Sequence, residues 1–132
     1  MTKSLAFAEE RNRIIANNIA NANTPFYKAK RAPVAQFQAA LSRAIERSRK
    51  APSAPLVLES TRNITDRGAS LEVKPVEDRR PGGSILRHDR NNVSLEKEMA
   101  ALAENTLTYR TLADLLRQQF MLLRLAVRER PD

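Results

Sequence analysis

Residues 95–127 read LEKEMAALAENTLTYRTLADLLRQQFMLLRLAV, and this stretch carries the strongest structural pattern in the chain. Alternate steps of four and three residues from Leu95 stay on one stripe for more than four heptads. The stripe comprises Leu95, Met99, Leu102, Thr106, Tyr109, Ala113, Leu116, Phe120, Leu123 and Val127. We therefore predict a helix over residues 94–130, and its 3.5-residue repeat predicts supercoiling against partner helices. The alternative is a long helix in an ordinary bundle.

A weaker version of the same pattern occupies the N-terminus. It runs through Leu5, Ala8, Asn12, Ile15, Ile19 and Ala22, and the helix is expected over residues 1–24 because Pro25 follows. A helix this short is marginal alone in water and needs a packing partner. We expect that partner to be the C-terminal helix, so that the two ends of the chain form a coiled-coil pair.

Asparagines are concentrated at the end of this first helix. The group comprises Asn17, Asn18, Asn21 and Asn23, and Thr24-Pro25 follows at once. Asparagine is a mediocre helix former, because its amide competes for backbone hydrogen bonds. Amides on a packing helix can set the register between helices through directional hydrogen bonds. The alternative is a helix end whose asparagines are simply solvated.

The middle of the chain differs in kind. An apolar face through Val34, Phe37 and Leu41 predicts a short helix over residues 34–50. Residues 51–92 hold all three glycines and four of the seven prolines, so we expect a long, mobile, basic loop there. Its β-like runs, at 56–58 and 71–73, are too short to predict a sheet. The expected fold is all-α and elongated: one domain over 1–132, with a coiled-coil helix pair, a short third helix and a mobile central loop.

Composition narrows the range of functions. The chain has 132 residues and a net charge of +8. It has no cysteine, which excludes disulfides and thiol chemistry. No apolar run is long enough to span a membrane, and no secretory signal pattern opens the sequence. The lone histidine, His88, has no second histidine or cysteine beside it, so no catalytic or metal site is expected and no cofactor. A small-molecule substrate is not expected either.

The net positive charge comes entirely from residues 1–92, because the six basic and six acidic side chains of residues 93–132 cancel. Such a patch attracts nucleic acid, anionic lipid or acidic protein surfaces. No zinc finger, RNA-recognition signature or basic-zipper arrangement accompanies it. Nucleic-acid binding is therefore the alternative function: a small basic nucleic-acid-binding or adaptor protein with a coiled-coil oligomerisation helix.

Two segments resemble a known family. Residues 16–25, ANNIANANTP, followed by Tyr27-Lys28, are similar to the N-terminal signature of bacterial flagellar rod, hook and hook-associated proteins. Residues 89–99, DRNNVSLEKEM, and 104–109, ENTLTY, resemble the start of the C-terminal helix in that family. The family usually has glycine where Phe26 and Arg90 stand, and an acidic residue where Ser94 stands. Because a side chain disfavours positive φ, we expect Phe26 to impose a different turn or an extended exit.

The resemblance implies a non-enzymatic structural subunit of the proximal basal-body rod, which transmits torque and reaches the periplasm through the flagellar type III export apparatus. The implied partners are other copies, related rod subunits, export components and membrane-ring components. We expect the inter-helix packing to be carried by Ile15, Ile19, Leu95, Met99, Leu102, Tyr109, Leu116, Phe120, Leu123 and Val127. We expect the signature and register residues to be Asn17, Asn18, Asn21, Asn23, Thr24, Pro25 and Tyr27.

Overall fold

The computed structural model describes residues 1–53, 55–68, 70–78 and 90–128. Three helices account for most of these residues, and four short strands lie between them. In chain order the elements are α1 (Thr2–Ala20), β1 (Lys30–Arg31), α2 (Val34–Lys50), β2 (Ile64–Asp66), β3 (Leu71–Val73), β4 (Val76–Glu77) and α3 (Leu95–Arg128). The expected mainly helical fold is confirmed at this coarse level, whereas coiled-coil pairing stays a prediction.

The two terminal helices run antiparallel. The side chain of Asn18 near the end of α1 reaches Glu98 near the start of α3, and Asn12 reaches Asn105 further along. The helices have 19 and 34 residues, so α3 is longer by 15 residues, or about 22 Å at the rise of an α-helix. Since the two helices are level near Asn18 and Glu98, the extra length projects past the start of α1. We call residues 114–128 of α3 the overhang.

The hydrophobic core lies on the other side of α1 from α3. Phe7 of α1 stacks on Phe37 of α2, with ring centroids 4.1 Å apart and planes 6° from parallel. The remaining buried members of this cluster are Ile14, Ala32, Ala44, Leu58, Ile64, Leu71 and Val73. No described apolar residue of α3 is fully buried, so α1 joins a polar contact on one side to the apolar core on the other.

The central segment differs from the expectation. β2 pairs antiparallel with β3 in the register Ile64–Val73, Thr65–Glu72 and Asp66–Leu71, and β1 pairs with β4. Leu58 and Ile64 are almost fully buried. The expectation that this segment holds no sheet is therefore wrong, whereas its mobility stays a prediction. Strands of two or three residues leave almost no periodic pattern, and only contact with α1 and α2 orders them. The expected loop residues 79–89, including His88, lie outside the described residues.

α1 ends at Ala20, earlier than the predicted boundary at residue 24. The residues between Ala20 and Pro25 form hydrogen-bonded turns instead, with the Asn21 amide reaching back to the Asn17 and Asn18 carbonyls. Proline disfavours helical geometry at the residue before it as well as at its own position. The helix therefore ends before Pro25.

A buried ion pair joins the start of α1 to the β2–β3 hairpin. The ammonium of Lys3 donates to Asp66 Oδ1 and, at 2.6 Å, to the Gly68 carbonyl. The backbone amides of Leu58 and Gly68 donate to the same carboxylate at 2.8 and 2.9 Å. Burial of Asp66 opposes its ionisation, but the hydrogen bonds from Lys3 and both amides, with the Lys3 charge, outweigh burial and lower the pKa of this carboxyl.

Replacing Lys3 tests this ion pair. Lys3→Met should lower the free energy of unfolding by about 1–3 kcal/mol at pH 7, because the Asp66 carboxylate loses a charged donor. Unfolding in urea, followed by circular dichroism because the chain has no tryptophan, measures the change. Lys50→Met, at an exposed lysine, is the control and should stay within about 0.5 kcal/mol of wild type.

The same variant has an expected pH dependence. A depressed folded-state pKa gives stability that is present above the unfolded pKa and lost as the pH falls through the folded pKa. The difference between wild type and Lys3→Met should therefore shrink as the pH falls below about 4, where the carboxyl begins to protonate. A difference that stays constant down to full protonation would contradict this account of Asp66.

Candidate assembly site

Asn18 is the centre of a polar network at the end of α1. Its side chain is 1% exposed. Its Oδ1 accepts from the Lys30 amide at 2.9 Å, and its Nδ2 donates to the Lys30 carbonyl at 2.6 Å. The same nitrogen donates to Glu98 Oε2 at 3.1 Å. The amide thus takes the place of a strand neighbour for β1 and also binds α3, using both its donor and its acceptor group.

Tyr27 completes this network from the turn after α1. Its hydroxyl lies 2.8 Å from Asn17 Oδ1 and 3.1 Å from Asn18 Oδ1, to which it donates. Burial, and secondly the charge of Glu98, raise the pKa of Tyr27. The hydroxyl therefore keeps its proton at neutral pH, and this one proton is shared between the two asparagine oxygens.

Asn91 holds the end of α1 from the other side. It is fully buried, and its Nδ2 donates to the carbonyls of Asn21, Ala22 and Thr24 at 3.0, 3.0 and 2.8 Å. Its Oδ1 accepts from the Val93 amide at 2.8 Å. These carbonyls belong to the turn that follows α1, whereas the backbone amides of Asn21 and Ala22 donate to the last carbonyls of the helix itself. Asn91 therefore holds the turn. It thereby ties the exit of α1 to the segment that leads into α3.

The backbone at Phe26 contradicts the expected turn. Phe26 has φ 62° and Arg90 has φ 58°, so both non-glycine residues occupy the left-handed region. The prediction that Phe26 imposes a different turn or an extended exit is wrong. The surrounding hydrogen bonds determine the backbone here: Asn91 holds Thr24, and the Lys28 ammonium donates to the Arg90 carbonyl at 2.8 Å.

Asn105 was missed by the sequence analysis. It is the one buried residue of α3 among those described, and its Nδ2 donates to the Ala8 carbonyl and to Asn12 Oδ1, both at 2.7 Å. The missed signal is a second stripe, also in steps of four and three, that shares three positions with the predicted one. It runs through Glu98, Leu102, Asn105, Tyr109, Leu112 and Leu116, all buried or half-buried.

The predicted packing residues fall into three groups. Ile15 is buried in α1 and Ile19 is half-buried. Leu102, Tyr109 and Leu116 are half-buried along the α1 side of α3. The others are exposed within the single chain, with exposed fractions of 43% for Leu95, 58% for Met99, 60% for Phe120, 62% for Leu123 and 76% for Val127. Their role in inter-helix packing is thus a prediction about contacts beyond this chain.

The predicted signature residues also divide. Asn18 and, less fully, Asn21 and Tyr27 lie inside the network, where Asn21 Nδ2 donates to the Asn17 carbonyl at 2.8 Å. The exposed members are Asn17, Asn23, Thr24 and Pro25. Within the chain these residues shape the exit of α1. Setting the register between helices of different subunits stays a prediction.

The overhang carries a large exposed apolar surface. Besides Phe120, Leu123 and Val127, it exposes Leu115, Met121, Leu122 and Leu125, with exposed fractions from 41% to 65%. A helix that is apolar around most of its circumference is normally buried against other helices. In the described part of the chain, no helix is both long and apolar enough to cross a membrane. The same described residues hold no group of His, Cys, Asp and Glu that could bind a metal ion.

Comparison with known proteins identifies the family. The family model for the flagella basal body rod protein matches residues 9–28, which include Asn18 and Tyr27 of the polar network. The flagellar basal body rod protein FlgB of Bacillus subtilis (strain 168) is 30% identical over 120 residues, covering 91% of this chain and 84% of that protein. The chain belongs to the FlgB family.

Two further FlgB proteins agree with this assignment. FlgB of Escherichia coli (strain K12) is 31% identical over 108 residues, covering 81% of this chain and 75% of that protein. FlgB of Borrelia hermsii is 31% identical over 120 residues, covering 89% of this chain and 85% of that protein. Of the two proximal rod types that the residues resemble, FlgB and FlgC, these relatives carry the name FlgB. This member of the FlgB family is a structural protein of the flagellar basal body rod and not an enzyme.

Removing the Asn91 amide tests the network. Asn91→Ala should lower the free energy of unfolding by about 2–3 kcal/mol, because three carbonyls near the end of α1 lose their donor in a buried position. Unfolding in urea measures this change in the free energy of unfolding. Asn23→Ala, at an exposed asparagine of the same turn, should stay within about 0.5 kcal/mol of wild type. Equal losses at both positions would contradict the role assigned to Asn91.

A glycine at position 26 should stabilise the folded chain. The left-handed conformation costs a side-chain-bearing residue about 1–2 kcal/mol, whereas glycine adds about 0.5–1 kcal/mol of unfolded-state entropy. Phe26→Gly should therefore raise the free energy of unfolding by about 0.5–1 kcal/mol, since the ring is 67% exposed and little packing is lost. A clear decrease in the urea midpoint would show that the ring stabilises the fold.

Proposed function

We propose that this FlgB-family chain assembles through its terminal helices into the proximal rod, the torque-transmitting shaft of the flagellar basal body. The observation that carries the proposal is the overhang, which places Phe120, Leu123 and Val127 in water within the isolated chain. Exposed apolar area on this scale is unfavourable unless other subunits cover it. The predicted heptad stripe continues through these residues, which favours coiled-coil contacts with neighbouring helices.

The exit of α1 fits the same role. Asn17, Asn23, Thr24 and Pro25 are exposed next to the buried network around Asn18, so they are held in a defined geometry and free for contact with other subunits. We assign them, with Asn18, Asn21 and Tyr27, to the register between subunits. Exposed amides can form hydrogen bonds that specify one alignment of neighbouring helices over another.

The partners we propose are other copies, related rod subunits, membrane-ring components and the flagellar export apparatus. The chain would reach the periplasm by type III export. The basic surface of α2 supports contact with acidic neighbours: Arg43 and Arg47 share one carboxylate, Glu59, at 3.1 and 3.3 Å, which leaves excess positive charge exposed. Such surface charge contributes more to steering and specificity than to affinity.

The overhang can be tested without disturbing the fold. Leu123→Asp should prevent incorporation into the rod, because a charge would be buried in the helix contact, while thermal unfolding of the isolated chain stays unchanged. The measurement is the amount of the chain in detergent-extracted hook–basal bodies from its native cells, together with swimming. Gln118→Asp, at an exposed polar position on the opposite side of the helix from Leu123, is the matched control and should incorporate normally.

Normal incorporation of Leu123→Asp would refute assembly through the overhang. Absence of the wild-type chain from hook–basal bodies, with salt-sensitive binding to duplex DNA, would favour the basic nucleic-acid-binding alternative instead.

A further inference from the structure

Two exposed residues occupy a backbone conformation that their side chains disfavour. Phe26 and Arg90 have φ of 62° and 58°, and the Phe26 ring is 67% exposed. Strained backbone at non-glycine residues concentrates where a side chain has a role outside the fold. An aromatic ring that packs little within its own chain, presented on a constrained turn, is suited to contact with another molecule.

The two turns form one surface. The ammonium of Lys28 donates to the Arg90 carbonyl at 2.8 Å, and Asn91 donates to the Thr24 carbonyl at 2.8 Å, so positions 26 and 90 are held together. We call Phe26, Lys28 and Arg90 the aromatic knob. It combines one exposed ring with two exposed cationic residues, and the exposed Lys30 follows on β1. An apolar partner surface with acidic flanks would complement it.

The chain itself contains such a surface. Leu95, Met99 and Leu107 are 43%, 58% and 68% exposed along the first part of α3, and we call them the outer stripe. They lie at multiples of four residues from one another, away from Asn105, which faces α1. Between residues 95 and 107, Glu98 faces α1, whereas Glu96 and Glu104 are exposed against one exposed lysine, Lys97. A methionine on such a stripe is well suited to an aromatic ring.

The outer stripe and the overhang differ in the charge of the residues around them. The overhang carries Arg117, Arg124 and Arg128 against one carboxylate, Asp114. A cationic knob is repelled there, whereas the acidic excess beside the outer stripe attracts it. The start of α3 is therefore the better complement, although both surfaces are apolar.

We propose that the aromatic knob of one copy docks on the outer stripe of a second copy of this chain. The two surfaces are different patches, so the contact is heterologous and can repeat from copy to copy without closing. The contact deepens the proposed assembly role and is separate from the overhang, so each can fail without the other.

Photo-crosslinking at position 26 tests the contact directly. The probe is the full chain with p-benzoylphenylalanine in place of Phe26, mixed in equal amounts with isotope-labelled wild-type chain and irradiated at concentrations that promote association. We expect crosslinks from position 26 to residues 95–107 of the labelled chain, identified by mass spectrometry. The same analogue in place of Val57, which is 52% exposed on another part of the surface, is the control and should give none. Absence of crosslinks between copies, or crosslinks that map to the overhang, would overturn the proposal.

Substitution separates the knob from the fold. Phe26→Gly should weaken self-association, measured by sedimentation over a concentration series, by about tenfold, although its stability to urea does not fall. Phe26→Tyr keeps a ring and should associate as wild type does. Met99→Lys should weaken association as Phe26→Gly does. If Phe26→Gly associates normally while Leu123→Asp does not, the knob proposal fails and assembly through the overhang stands. If Leu123→Asp associates normally while Phe26→Gly does not, assembly through the overhang fails and the knob proposal stands.

Discussion

The arrangement of this protein depends on how the turn after α1 is held. α1 ends at Ala20, and the backbone amides of Asn21 and Ala22 donate to its last carbonyls. The carbonyls of the turn itself, at Asn21, Ala22 and Thr24, accept from one side-chain amide, Asn91, which comes from a position about 70 residues later in the sequence. Because Asn91 lies just before α3, this interaction places the start of α3 beside the end of α1, which agrees with their antiparallel direction.

The polar nature of the α1–α3 contact explains why apolar surface is left for assembly. Asn105 and Asn18 occupy buried positions between these helices, and the side-chain nitrogen of each donates to the opposite helix. Directional contacts of this kind specify register without covering much apolar area. The apolar side of α1 is used instead by Phe7 and Ile14 in the core with α2. Most of the leucines of α3, together with its phenylalanine and both methionines, are thereby exposed within the single chain.

The chain combines a closed core with exposed apolar surfaces. The core surrounds Phe7 and Phe37, is covered by the β2–β3 hairpin, and the hairpin is joined to the start of α1 through Lys3 and Asp66. The exposed apolar surfaces lie on α3 and on the turn at Phe26. Apolar surfaces of this extent are typical of proteins that bind other proteins.

Local patterns in the sequence were sufficient to predict a long C-terminal helix, a short helix from Val34 and the end of the first helix before Pro25, because helical periodicity and proline act over a few residues. The family could likewise be recognised from the short motif around Asn18. Only the tertiary structure decided which side of α3 faces α1, since the two possible stripes share Leu102, Tyr109 and Leu116. The stripe that faces α1 differs from the predicted one at Glu98, Asn105 and Leu112. The tertiary structure also decided that residues 64–73 form a hairpin and that Phe26 takes a positive φ. Both outcomes depend on partners far away in the sequence, such as Asn91 and the core residues of α1, which no local pattern contains.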